Sequence, residues 1–65
     1  DGAIDGLMYA ACDMAGFALD FSDYLLTVEL LGASQGFNVG ESDEIGMDAV
    51  VVYCPEFGSV WGIVP

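Results

Sequence analysis

Sixty-five residues limit the chain to one small domain, and a chain of this size buries only about 60% of the surface its unfolded form exposes. Hydrophobic residues make up 55% of it and the mean hydropathy is +0.60, more apolar side chain than one small core covers, which points to a partner surface, self-assembly or a membrane. Seven Asp, four Glu and no Lys, Arg or His give a net charge of −11; this excludes direct binding of nucleic acid, which runs on Lys and Arg, and sets the chain against anionic membrane surfaces at neutral pH.

Residues 4–31 carry a helical period. Gly2, Asp5, Tyr9, Asp13, Gly16, Asp20, Asp23 and Thr27 follow one another at steps of three and four, so on a helix they form one narrow stripe. Nearly everything off the stripe is apolar, which predicts a long apolar helix whose acidic edge (Asp5, Asp13, Asp20, Asp23) meets water, with a kink near Gly16. By that geometry Asp20→Leu should barely disturb the fold. A rival pattern runs through residues 17–31. Phe17, Leu19 and Phe21 alternate with Ala18 and Asp20, and Tyr24, Leu26, Val28 and Leu30 alternate with Leu25, Thr27 and Glu29, which would read as a β-hairpin, although the regularity of the stripe favours the helix.

Residues 32–44 are rich in Gly, Asn, Ser and Asp and read as a loop. The β-branched run "MDAVVVYC", the turn Pro55-Glu56 and "FGSVWGIV" predict a β-hairpin over 47–64. The expected fold is therefore α+β: an N-terminal apolar helix followed by a C-terminal β-hairpin, in a single domain of residues 1–65.

Two cysteines, Cys12 and Cys54, in so short a chain suit one disulfide in an oxidising compartment. The sequence opens on Asp1-Gly2 with no basic leader, which reads as a mature piece of a longer precursor. Together these predict a secreted, extracellular or cell-surface protein. The missing bases fit four histories: cleavage after basic residues, exposure to trypsin-like proteases, high salt, or a basic partner chain.

The residues present exclude most catalysis. Without His there is no ordinary base for a Ser or Cys nucleophile, without Lys no Schiff base, and without Lys or Arg no usual clamp on a phosphoryl group. "GASQG" and "GFNVG" lack the Lys and the strand–helix setting of a phosphate loop. The expectation is a non-enzymatic chain with no cofactor. Glu41, Asp43, Glu44 and Asp48 offer oxygen ligands for a hard cation, without the spacing of a known calcium loop. The stretch Leu7–Leu31 is long enough to span a bilayer, but its carboxylates oppose insertion unless acid neutralises them.

These features predict a structural subunit that self-assembles into a filament or coat through apolar helix faces and strand edges. Leu7, Met8, Phe17, Phe21, Leu25, Leu26, Val52 and Trp61 are the candidate contact residues, for assembly or for a membrane. One alternative is a membrane-active toxin or bacteriocin that inserts at acidic pH. Another is one processed chain of a hetero-oligomer, whose partner is another protein chain, a basic one included.

Overall fold

A computed structural model describes residues 2–63, and every regular element in it is helical. Helix α1 spans Gly2–Ala15, α2 Phe21–Ser34, α3 Val39–Asp48 and α4 Pro55–Val60, with a π-helical turn at Ala49–Tyr53 continuing α3. No strand occurs among the described residues. The fold is therefore all-α rather than α+β, and the hairpin expected over 47–64 is absent; its last residue, Val64, lies outside the described residues.

The expected helix over 4–31 is two helices. α1 ends at Ala15, and Phe17 N–H closes a turn on the Met14 carbonyl at 3.0 Å. Asp20, in extended backbone, then caps α2: its Oδ1 accepts from Asp23 N–H at 2.8 Å, while Asp23 Oδ2 accepts from Leu19 N–H at 3.0 Å. Asp20 is thus a helix cap and not one more member of a solvated stripe, so its loss matters.

The expected loop 32–44 shrinks to four residues, Gln35–Asn38. α2 stops in a glycine cap. Gly36 adopts φ 88°, Gly36 N–H donates to the Ala33 carbonyl (3.1 Å) and Phe37 N–H to the Gly32 carbonyl (2.9 Å), the paired bonds of a Schellman motif. α3 begins at once in a capping box: Asn38 Oδ1 accepts from Glu41 N–H at 2.8 Å, and Glu41 Oε1 accepts from Asn38 N–H at 3.0 Å.

The run "AVVVY", expected as a strand, forms the π-helical turn, closed by Cys54 N–H on the Ala49 carbonyl at 2.9 Å. Tertiary burial decides this over β propensity. Ser42, Ile45, Gly46, Ala49 and Val50 are buried, at steps of three, one, three and one. That is a helical face, whereas Val51 and Val52 point outward. Pro55, which needs no N–H donor partner, occupies the first turn of α4. A second glycine cap ends α4, with Gly62 at φ 75° and Ile63 N–H on the Gly58 carbonyl at 2.7 Å.

The core lies where α1, α2 and α3 meet. α1 contributes Leu7, Ala11 and Ala15, α2 contributes Tyr24 and Val28, and the last chain segment contributes Ala49, Val50 and Cys54. Small residues allow a close α2–α3 crossing. A Cβ built on Gly32 would overlap the Ser42 hydroxyl and lie 2.8 Å from Ser42 Cβ; one on Gly46 would lie 3.0 Å from Val28 Cγ1. Beneath the crossing, Tyr24, Phe21, Phe57 and Trp61 form a ring cluster with centroids 5.1–6.1 Å apart. Cys12 and Cys54 are disulfide-bonded, their Cα atoms 6.0 Å apart, so the bridge ties α1 to the start of α4. Both sulfurs sit beside the Ala49 carbonyl oxygen, at 3.7 and 3.5 Å.

Candidate association surfaces

With the core filled this way, the apolar residues left outside mark where the chain can meet something else. Tyr24, Val28 and Gly32 form the inner face of α2. Leu26 and Leu30 lie one turn apart on its outer side and are 61% and 75% exposed. The linker ahead of α2 adds Phe17, 83% exposed, and Leu19, 91% exposed. Leu19 is held there because its N–H is bonded to the Asp23 carboxylate. Leu26 and Leu30 thus form an exposed apolar ridge on a capped helix, with two further exposed apolar side chains in the linker before it.

The other residues expected on a contact face do not join it. Leu7 is fully buried. Met8, Phe21, Leu25 and Trp61 are half-buried against the core cluster. Val52 is exposed on the π-helical turn, well along the chain from α2. Of the eight, Leu26 lies on the ridge and Phe17 is exposed in the linker before α2. Leu30 on the ridge and Leu19 in the linker were missed because sequence reasoning used a single helical frame for residues 4–31.

The acidic stripe is also divided. Asp5 and Asp13 are exposed on α1. Asp5 Oδ1 accepts from the Tyr53 hydroxyl at 2.9 Å, and Tyr53 stands edge-on to Tyr9 at 4.9 Å. That hydrogen bond first, then desolvation and the charges of Asp5 and Tyr9, push the Tyr53 phenol above its ordinary pKa. Asp20 and Asp23 serve the start of α2.

The carboxylates of the expected cation loop lie on α3 and face two ways. Glu41, Glu44 and Asp48 border a groove of about 260 Å³ between α1 and α3, floored by Ile4, Met8, Phe37 and Ile45. Asp43 instead meets Glu29 of α2. A hydrogen bond with Asp43, then desolvation, then the Asp43 charge, raise the Glu29 pKa above the usual carboxylate value. Asp43 Oδ1 is shut off from solvent and has no hydrogen-bond partner among the described residues. Among the described residues no three Asp, Glu or Cys side chains converge to hold a metal ion.

Inside the crossing, the Tyr24 hydroxyl donates to the Gly46 carbonyl at 2.7 Å, and burial pushes its pKa up to about 12. Ser42 Oγ, fully buried, has no hydrogen-bond partner among the described residues. Neither group opens into a cleft. Among the described residues no helix is long and apolar enough to cross a membrane; at 14 residues each, α1 and α2 run about 21 Å against a hydrocarbon core of about 30 Å.

No protein-family model matches the chain, and neither a curated protein nor a solved structure matches it.

Proposed function

We propose that the chain is a secreted, non-enzymatic structural subunit that self-assembles through the outer ridge of α2. The observation that carries this is the exposure of Leu26 and Leu30, one turn apart on the side of α2 opposite its buried residues. Burying such side chains against a neighbour is worth about 1–2 kcal/mol each at these exposures. Phe17 and Leu19 add exposed apolar surface in the linker before α2. The disulfide supports a life in an oxidising compartment. Strand edges have no part in this contact, which runs between helices.

Every copy brings eleven carboxylates and no base, so charge opposes the contact and the apolar ridge must outweigh it. Association therefore strengthens as salt shortens the screening length from about 8 Å at physiological ionic strength to about 3 Å at 1 M. Sedimentation velocity with negative-stain imaging at neutral pH, in low and high salt, tests this. Particles larger than the 6.8 kDa monomer, growing with salt and lost in Leu30→Glu without loss of helix content, are expected. A monomer at all salt concentrations, or assembly indifferent to Leu30→Glu, refutes the proposal.

A further inference from the structure

The groove between α1 and α3 is built from different residues than the α2 ridge, and its chemistry points to a different kind of occupant. Its floor is apolar, with Met8 of α1 and Ile45 of α3 among the lining, and its border carries Glu41, Glu44 and Asp48. These three follow at steps of three and four, so they stand on one side of α3. At about 260 Å³ the groove lies below the usual range for small-molecule sites, about 300–1,000 Å³. It suits one or two apolar side chains of a longer ligand. The triple carboxylate border calls for cations over that apolar anchor. No second copy supplies them, because the chain contains no Lys, Arg or His.

We propose that this groove docks a cationic amphipathic helix of a partner protein, an apolar side chain entering between Met8 and Ile45 while Lys or Arg residues pair with Glu44 and Asp48. Helix-in-groove recognition uses apolar anchors at helical spacing, and the flanking charges set orientation and encounter rate. This docking is independent of self-assembly through α2: either surface can exist without the other.

The test uses the intact, disulfide-bonded chain and a synthetic Leu/Lys amphipathic peptide as probe, with its Leu/Glu counterpart as control. Binding is followed by calorimetry and by amide shift changes in the labelled protein, at low salt, where association of the chain with itself is weakest. The Leu/Lys peptide is expected to shift amides around Met8, Phe37 and Ile45. Glu44→Lys and Asp48→Lys are each expected to weaken it about tenfold. Asp13→Lys changes the net charge equally from the exposed side of α1 and is expected to change affinity less than about twofold. Glu41 is left intact because it completes the cap of α3, and Glu44→Gln reads out the same loss of pairing should a Lys variant fold poorly. Equal weakening by Asp13→Lys would mean that only net charge attracts the peptide, and the proposal falls. It falls equally if the Leu/Glu peptide binds as well, if the shifts centre on Leu26 and Leu30, or if no binding occurs.

Discussion

Replacing Gly32 with alanine probes the feature on which the whole arrangement depends, the close crossing of α2 and α3. A Cβ at this position would lie 2.8 Å from Ser42 Cβ and overlap the Ser42 hydroxyl, whereas carbon atoms rest about 3.5–4.0 Å apart. The clashing atoms belong to a short side chain on a buried helix face, so the helices must part by about 1 Å. Overpacking of this kind costs about 1–3 kcal/mol. Alanine also favours a helix interior over glycine by about 1 kcal/mol, which masks part of the cost. Gly6→Ala separates the two effects. Gly6 lies inside α1, and a Cβ there meets nothing within 4 Å, so that variant gains the propensity alone.

Urea or guanidinium unfolding of both variants at neutral pH gives the comparison. Gly6→Ala is expected to gain about 1 kcal/mol and Gly32→Ala to stand about 1–3 kcal/mol below it. In thermal melts that gap amounts to about 4–8 °C for each kcal/mol in a domain this small. Adding Ser42→Gly to Gly32→Ala removes the colliding atoms and should recover most of the loss. Equal stabilisation by both alanines would show that the helices are not in contact at Gly32, and the account of the crossing would fail.

The remaining predictions concern the bridge, the Glu29–Asp43 pair and the cap. Replacing both Cys12 and Cys54 by alanine releases a loop closed over a separation of 42 residues. It should cost about 4 kcal/mol in the chain-entropy model, enough to leave the chain largely unfolded by circular dichroism. Because the Glu29 pKa is raised in the folded state, the Glu29–Asp43 contribution is fully present below the unfolded carboxylate pKa and is lost as pH rises through the folded one. Glu29→Gln supplies a permanent donor to Asp43. It should stabilise the fold at pH 7 and flatten the pH dependence of denaturation midpoints between pH 4 and 7 relative to the parent; a parallel dependence in the two proteins would mean that Glu29 does not feel Asp43. Asp20→Ala should lose about 1 kcal/mol of stability through the missing cap of α2, while Asp20→Asn should lose little; identical behaviour of the two would mean that the Asp20–Asp23 bond carries no weight.

Several features of the fold were written in the sequence in a form that period counting does not read. The Asn38–Glu41 box and the glycine stops "SQGF" and "VWGI" are start and stop signals for helices, yet Gly, Asn and Ser in residues 32–44 also look like an ordinary loop. The inner face of α3 was hidden because two of its three buried positions are Ser42 and Gly46, which no hydropathy pattern marks as core. Next to them Val50, Val51 and Val52 imitate a strand, although only Val50 is buried. In residues 4–31 the eight-membered stripe kept its step of three or four across Gly16 and Asp20 by coincidence of the linker length, so two helices read as one. The pairing of Cys12 with Cys54 needed no geometry, only the count of two. The groove was not legible, since Ile4, Phe37 and Ile45 come together only once α3 is recognised as a helix.

A chain without a single base must settle its carboxylates by other means than salt bridges, and helix ends provide them. Each of the four helices has an acid in its first turn: Asp5, Asp23, Glu41 and Glu56. There the unpaired N–H groups and the helix dipole favour negative charge without a cation nearby. Asp20 performs the same service from outside the helix, through Asp23 N–H. The opposite ends, where Lys or Arg would ordinarily sit, have no basic residue in the last turn. Two of them close instead on Gly36 and Gly62, whose positive φ lets following N–H groups satisfy the last carbonyls. Acids at the starts and glycine caps at the stops thus replace ion pairs as the source of polar order. The carboxylates this scheme leaves over are the informative ones. Asp43 meets Glu29 across the α2–α3 contact and raises its pKa, whereas Glu44 and Asp48 stand exposed beside an apolar groove, with no base of their own chain to answer them.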